Sequence, residues 1–224
     1  SLGGIRKVQT HKDLVGDIPQ IEKLVTPLVA EKMIDKIAEV SIHWEMHDDG
    51  EVTIIGVFDQ FARNFSYIGT AYPTEISLEV KEKIEDDLIE KFIPHLKQQK
   101  AKGFFCCDIL IDYSGRIYWT DFNPRKGAII YIHDLAKRIA DLHFTGSSDI
   151  YFWHEHTSIA NGVVFADVHR ELHDILVPSS GQPFVVVTNP GIICHGGLDI
   201  TGFSLSSRED AKRIVQVAKG KFNV

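Results

Sequence analysis

Two acidic residues and an amide at fixed spacing are the part of this sequence best placed to do chemistry. Asp108 and Asp121 lie in residues 104–122, whose pattern predicts a β-hairpin, and Asn123 follows Asp121 by two positions. A two-residue turn at 114–115 would set Asp108 directly opposite Asp121. Opposed residues on one face have Cβ atoms about 4.5–5.5 Å apart, and a residue two positions further along shares that face. We therefore expect three oxygen-bearing side chains together.

Three explanations account for such a cluster. Two adjacent carboxylates repel each other by about 0.2–1 kcal/mol, so they could lie on a wet sheet surface or be neutralised by a basic side chain. Alternatively they bind a hard cation such as Mg²⁺ (or Mn²⁺), which takes carboxylates together with substrate phosphates. Arg125, two residues after Asn123, shares the same face. Its guanidinium could clamp a phosphate bidentately or neutralise Asp108 and Asp121 directly.

The remaining pattern indicates strands and helices in an α+β arrangement, with an antiparallel sheet and flanking helices. The predicted strands are 5–8, 28–34, 39–46, 51–58, 184–187 and 203–205, and the predicted helices are 18–25, 77–99, 130–142 and 166–176, with a further helix after Ser207. Small residues around 145–148 suggest a boundary, which divides the chain into 1–145 and a C-terminal α/β extension, 146–224.

The segment Asp121-Phe122-Asn123-Pro124-Arg125 resembles the acidic-x-Asn-x-Arg metal motif of ATP-grasp enzymes. In that family an earlier acidic residue, which follows a glycine, is the partner metal ligand. Asp108 stands at that place, five residues after Gly103. The resemblance implies that Asp108, Asp121 and Asn123 are metal ligands and that Arg125 is catalytic. The family often has Glu at the two acidic positions, where this chain has Asp.

Upstream segments extend the resemblance to the nucleotide site. Residues Glu31, Lys32, Met33 and Ile34 look like the family's linker strand, whose backbone hydrogen-bonds the adenine, and Glu39 matches the acidic residue that accepts from the ribose hydroxyls. Gly3 and Gly4 resemble the end of the glycine loop that covers the phosphates. Further candidates are Gln60 and Arg63, on the strand after the hairpin.

The resemblance implies an ATP- and Mg²⁺-binding portion of an ATP-dependent carboxylate-amine ligase. ATP would phosphorylate a small carboxylate, and an amine or other nucleophile would attack the acyl phosphate. Because family members carry a lysine-bearing lid ahead of the glycine loop, we expect this chain to be a C-terminal portion of the fold that binds ATP weakly and turns over poorly alone. The tail after 145 could extend the core or form a homodimer contact.

Composition excludes several other classes. The net charge of −7 argues against a nucleic-acid surface, which needs a basic stripe. No apolar run approaches the ~20 residues that span a bilayer, so no membrane partner is expected. Three cysteines, two of them adjacent, argue against a disulfide framework and favour a reducing, cytoplasmic setting.

Two alternatives stay open. His154 and His156 alternate along a predicted strand, and His169 and His173 lie four apart on a predicted helix, so these histidines could bind zinc. The sequence His169-Arg170-Glu171-Leu172-His173 differs from the metalloprotease pattern, since its acidic residue is displaced. The second alternative is a non-catalytic module that keeps the fold and nucleotide binding but serves as an interaction surface.

Overall fold

The computed structural model describes residues 31–143, 150–176 and 181–222, together with position 12. The predicted strand 5–8, the predicted helix 18–25 and the two glycines Gly3 and Gly4 lie outside these residues.

Eight strands form one sheet in which every neighbouring pair is antiparallel. The strands are β1 (Lys36–Met46), β2 (Val52–Arg63), β3 (Ser66–Tyr72), β4 (Gly103–Asp112), β5 (Ile117–Asn123), β6 (Tyr151–Ser158), β7 (Phe184–Val187) and β8 (Gly197–Ser204). Their order across the sheet is β5-β4-β1-β2-β3-β6-β8-β7. The prediction of an α+β fold with an antiparallel sheet is confirmed.

Five α-helices flank the sheet within the described residues. They are α1 (Leu78–Asp87), α2 (Ile93–Gln98), α3 (Ala128–His143), α4 (Phe165–Leu172) and α5 (Arg208–Gly220), with a π-helical segment at Leu88–Phe92 and a 3₁₀ segment at Pro190–His195. Ser77 and Ser207 cap α1 and α5 as predicted, since each hydroxyl accepts a hydrogen bond from the backbone N–H three residues on.

The two faces of the sheet bury different residues because side chains alternate along each strand. On β1, Val40, Ile42 and Trp44 pack with the helical residues Ile84 and Leu88 in one core cluster. The intervening residues of β1 point to the opposite face, on which α3 packs. We call this opposite face the α3 face.

The other end of the sheet has a core on each face. Val185, Ile200 and Val215 belong to a cluster that includes residues of α4 and α5, on the same face as α1. On the α3 face, Phe58 and Phe152 pack against apolar residues of α3. Polar side chains occupy the strip of the α3 face near β4, β5 and the start of α3, and they also occur on β6 and β8, where His154 and Thr201 are buried.

Three predicted elements differ from the structure. Of the predicted strand 28–34, residues 28–30 lie outside the described residues and residues 31–34 are not a strand, since β1 begins at Lys36. The predicted helix 166–176 ends at Leu172. The predicted helix 77–99 is interrupted by the π-helical segment Leu88–Phe92, just before Pro94. Proline has no N–H to donate and its ring crowds the carbonyl four residues earlier, so a locally widened helix relieves the conflict.

The sheet continues across the position where the sequence suggests a boundary. Strand β3 precedes residue 145 and β6 follows it, and the two pair over Gly69–Tyr72 and Phe152–Glu155. The segment after 145 therefore adds β6, β7, β8, α4 and α5 to the same sheet. The division into 1–145 and 146–224 remains a prediction about folding units.

Candidate functional site

The hairpin of β4 and β5 sets Asp108 opposite Asp121, as the spacing predicts. The route differs from the prediction, because the chain reverses over residues 112–116 and the last pair before the turn is Ile111 with Ile117. The register then shifts between Asp108 and Ile109, which leaves Thr120 as the extra residue of a β-bulge. The Thr120 hydroxyl donates to the carbonyl oxygen of Asp108 at 2.9 Å. The predicted pairing of Tyr113 with Arg116 is therefore wrong, and the bulge restores the predicted pairing of the two acids.

Asn123 shares the face of the two carboxylates. Its amide nitrogen donates to Oδ2 of Asp121 at 3.0 Å, which leaves the amide oxygen of Asn123 and Oδ1 of Asp121 available to a cation. Asp108 accepts a hydrogen bond at Oδ1 from Gln60 Nε2 at 2.9 Å. The set therefore offers several oxygen atoms on one side of the hairpin, held by neutral donors.

Asp108 carries an electrostatic cost that no basic residue in the described part of the chain relieves. Burial raises the pKa of the Asp108 carboxyl, hydrogen bonds from Gln60 and Ser41 lower it, and the charges of Asp121 and Glu39 raise it further. Among the described residues, the polar partners of Asp108 are neutral groups. A divalent cation would offset both the desolvation and the repulsion.

Arg125 lies in the loop between β5 and α3 and is exposed. Its backbone N–H donates to the carbonyl of Asn123 at 2.9 Å, and its positive charge lowers the pKa of both His43 and Cys106. In the part of the chain that the structure describes, Arg125 forms no ion pair with Asp108 or Asp121. Direct neutralisation of the acids, one of the explanations from sequence, is thus not its role here, and the guanidinium is available to a ligand.

Ser41 and His43 belong to the site and were missed by the sequence analysis. Ser41 pairs with Asp108 and His43 pairs with Cys106 across β1 and β4, and the Ser41 hydroxyl lies 3.0 Å from His43 Nε2. Their alternation with Glu39 along a predicted strand is the signal that could have found them. Of the two further candidates, Gln60 contacts Asp108 whereas Arg63 is exposed at the end of β2.

Gly127 fixes how closely α3 approaches the site. A Cβ atom at Gly127 would lie 2.5 Å from Cε1 and 3.2 Å from Nδ1 of His43, and 3.2 Å from Sγ of Cys106. Glycine is therefore required immediately before α3. The Nδ1 atom of His43 is buried and has no hydrogen-bond partner among the described residues.

Three histidines on the α3 face are buried and neutral. Burial is the largest cause of the lowered pKa of each: about 3 for His43, about 4 for His133 and about 4 for His154. They share the face with Cys106, whose thiol pKa is raised to about 11 by burial, so it is not a thiolate nucleophile at neutral pH.

The predicted nucleotide segment lies at the entry to β1. Glu31, Lys32 and Met33 are exposed and Ile34 is half-buried, and all four lie in chain without regular secondary structure before the strand. Glu39 lies on β1 opposite Leu110, pairs with Lys36, and contributes to the raised pKa of Asp108. Glu39 is thus within electrostatic reach of the predicted metal ligands.

The C-terminal histidines do not assemble a zinc site. His154 bonds Thr201 and His156 bonds Asp199 through their Nδ1 atoms. Within the described parts of the chain, no group of three or more His, Cys, Asp or Glu side chains is arranged to hold a metal ion. The predicted magnesium set is of a different kind, since it has two carboxylates and one amide.

Two further observations bear on the class of protein. All three cysteines are free, with Cys106 and Cys107 buried and Cys194 exposed. Among the described helices, none is long and apolar enough to cross a membrane.

Comparison with known proteins shows the fold that surrounds this site. No protein-family model matches the sequence, and no curated protein matches it. The structure is similar to solved ATP-grasp proteins, and the chain has the fold of part of those proteins. The predicted ATP-grasp fold, with an antiparallel sheet and flanking helices, is thereby confirmed.

Three of these solved structures are an N5-carboxyaminoimidazole ribonucleotide synthetase, an N5-carboxyaminoimidazole synthetase and an N5-carboxyaminoimidazole synthase. The ADP complex of the synthetase purK has a TM-score of 0.67 at 14% identity, covering 95% of this chain and 56% of its own. The Staphylococcus aureus synthetase with ADP has a TM-score of 0.61 at 17% identity, with 96% and 57% covered. The Aspergillus clavatus synthase with ADP and aminoimidazole ribonucleotide has a TM-score of 0.62 at 14% identity, with 93% and 57% covered. The chain thus spans somewhat over half the length of these structures.

Proposed function

We propose that this chain is the nucleotide- and magnesium-binding portion of an ATP-dependent carboxylate-amine ligase. The observation that carries the proposal is the cross-strand pair Asp108 and Asp121, with Asn123 on the same face and no basic residue among those described to neutralise them. This pair lies in a fold shared with proteins whose structures contain ADP or ATP.

The donor set fits a hard divalent cation. Magnesium is bound in proteins by one or two carboxylates plus substrate phosphates, at oxygen distances of about 2.0–2.1 Å. Asp108 and Asp121 supply the carboxylates, and Asn123 supplies an amide oxygen while its nitrogen holds Asp121. When bound, the cation would neutralise charge on the transferred phosphoryl group.

The roles of the chain's own residues follow from their positions. Residues 31–34 would hold the adenine through backbone groups, and Glu39 would accept from the ribose hydroxyls. Gln60 and Ser41 hold Asp108 in place through hydrogen bonds. Arg125, which is exposed and unpaired with the acids, would bind a phosphate or acyl-phosphate oxygen bidentately. Gly3 and Gly4 would approach the phosphates.

The proposed reaction is the transfer of the terminal phosphoryl group of ATP to a carboxylate, which forms an acyl phosphate and ADP. An amine would then attack the acyl carbon, and phosphate would leave. Arg125 would stabilise the charge on the transferred group. As proposed from the sequence, these 224 residues by themselves would bind ATP weakly and turn over slowly.

The test is a calorimetric titration of the chain with ATP in the presence of Mg²⁺ or of EDTA. We expect binding that requires Mg²⁺ and is lost in Asp121→Ala. The matched control is Asp86→Ala, which removes an exposed carboxylate on α1 that has no hydrogen bond among the described residues. It should bind as the wild type does.

The alternative outcomes discriminate between classes of protein. ATP binding that is unchanged in Asp121→Ala would favour a non-catalytic nucleotide-binding module. Release of ADP by the full-length gene product, screened against amino acids and small carboxylic acids, would identify the acceptor. Efficient turnover by these 224 residues alone would contradict the proposed dependence on a further part of the fold.

A further inference from the structure

A cavity of about 280 Å³ opens on the α3 face, at the end of the site away from β5. It is lined by residues of β6 and β8, by the first turns of α3 and by Tyr67 of β3: Tyr67, Ala128, Ile132, His154, His156 and Asp199. The pKa of Tyr67 is raised by burial and by the charges of both Asp199 and Asp108. The phenol is therefore within electrostatic reach of both the cavity and the predicted metal ligands.

The Asp199 carboxylate gives the cavity an oxygen that can accept a hydrogen bond from a ligand. Asp199 Oδ1 accepts from His156 Nδ1 at 2.7 Å, which leaves Oδ2 able to accept another hydrogen bond. His154 Nδ1 lies 2.9 Å from the Thr201 hydroxyl, which leaves Nε2 as the ring nitrogen able to contact a ligand. Nε2 accepts a hydrogen bond in the tautomer that carries its proton on Nδ1. A ligand that fits the free oxygen of Asp199 must bring a donor.

The charge of the lining favours a cation over an anion. Among the described residues that line the cavity none is lysine or arginine, and Asp199 supplies a carboxylate. The start of α3 at Ala128 favours an anion by about two- to fivefold through the helix dipole. A hydrogen bond to a charged group is worth about tenfold or more. The Asp199 carboxylate therefore outweighs the helix dipole, and the cavity favours a positively charged ligand.

We propose that this cavity binds a small, unphosphorylated amine in its ammonium form, through Asp199, His154 and Tyr67. Its volume is near the lower end of small-molecule sites, about 300–1,000 Å³, and so suits a compound of few heavy atoms. The role of this amine as the nucleophile rests on the proposed ligase function and requires that the bound ammonium first lose a proton to solvent, whereas its binding requires no ATP. The names of the similar structures specify a ribonucleotide, whose phosphate would face the Asp199 carboxylate here.

The experiment is an NMR titration of the ¹⁵N-labelled chain with butylamine and, separately, with ribose 5-phosphate. We expect butylamine to shift the amide resonances of residues around the cavity in a saturable manner, and ribose 5-phosphate not to do so. Asp199→Asn, which keeps the shape and removes the charge, should weaken butylamine binding at least about tenfold. The control Asp86→Asn removes the same charge from α1 and should leave the affinity unchanged.

Three results would overturn the proposal: no butylamine binding, equal butylamine binding in wild type and Asp199→Asn, or ribose 5-phosphate binding at the same amides. If Asp199→Asn does not fold by circular dichroism, Tyr67→Phe replaces it and should weaken butylamine binding about threefold or more through loss of one hydrogen bond. A parallel titration with ATP and Mg²⁺ judges the proposed function independently. Loss of amine binding with intact ATP binding refutes only the cavity assignment, and the reverse refutes only the ligase proposal.

Discussion

The substitution Asp121→Asn should make the ligand-free protein more stable while it abolishes stabilisation by Mg²⁺ and ATP. The asparagine side chain keeps the shape of the aspartate and still offers an oxygen to the Asn123 amide, which donates to Asp121 at 3.0 Å. What is lost is one of two opposed negative charges. When the charge of a residue contributes to ligand binding but not to folding, its removal should raise the stability of the ligand-free protein and weaken ligand binding.

The magnitude follows from the pairing. Like charges directly opposed on a sheet cost about 0.2–1 kcal/mol, and the exposure of Asp121 keeps the value within that range. The free energy of unfolding without ligand should therefore rise by about that amount. In the wild type, ligand at ten times its dissociation constant should add about 1.4 kcal/mol. The variant should gain nothing comparable.

The assay is urea unfolding followed by far-ultraviolet circular dichroism, in EDTA and again with Mg²⁺ and ATP. The wild type should be the less stable protein in EDTA and the more stable one with ligand. The control Asp86→Asn should follow the wild type in both conditions. A variant that is destabilised in EDTA would show that Asp121 stabilises the fold, and an equal gain with ligand would show that it does not bind the cation.

Two further predictions concern the fold that carries the site. Stability should fall between pH 6.5 and pH 5, because the three buried histidines of the α3 face have pKa values lowered from 6.5 to about 3–4, so the unfolded chain binds more protons there. Each buried histidine can lower the free energy of unfolding by up to roughly 1.5 kcal/mol over this pH range, and the raised pKa of Asp108 opposes the decrease weakly. The variant His133→Phe should therefore reduce the pH dependence of the unfolding free energy by about a third. An unchanged pH profile would refute the assignment of the effect to these histidines. Gly202→Ala should destabilise the protein by about 1–3 kcal/mol or more, since its Cβ would lie 2.2 Å from the carbonyl oxygen of Ala211 in α5. In the control Gly220→Ala the new Cβ meets no atom within 4 Å, so this variant should be neutral or stabilising. Thermal unfolding compares the two variants, and equal melting temperatures would contradict the packing of α5 on β8.

Local patterns predicted much of the fold correctly. The period of apolar residues in 77–99 predicted the helical region, and Ser77 and Ser207 were found as caps because capping depends on residues within one turn. The hairpins around 48–50 and 114–115 were found because their strands are adjacent in sequence. Predictions failed where nonlocal packing decides, as at residues 31–34, which lie before the strand rather than in it.

The pairing of the two acids shows how far sequence reasoning extends into the site. Counting residues from an assumed turn put Asp108 opposite Asp121, and the structure reaches the same pairing through a longer turn and a bulge at Thr120. The predicted pairing of Asp108 with Asp121 was right, whereas the two-residue turn assumed for it was wrong. Neither the bulge nor the contact of Gln60 with Asp108 is encoded by local spacing.

The sequence by itself determined which residues could bind a cation, the helices and hairpins that carry them, and the resemblance to ATP-grasp enzymes. Only the tertiary structure decided the strand order β5-β4-β1-β2-β3-β6-β8-β7, and with it which distant side chains meet. Tyr67, Ala128, His154 and Asp199 line one cavity because both faces of the sheet must be buried. Burial of two faces is a property of the whole chain, and no local window of sequence contains it.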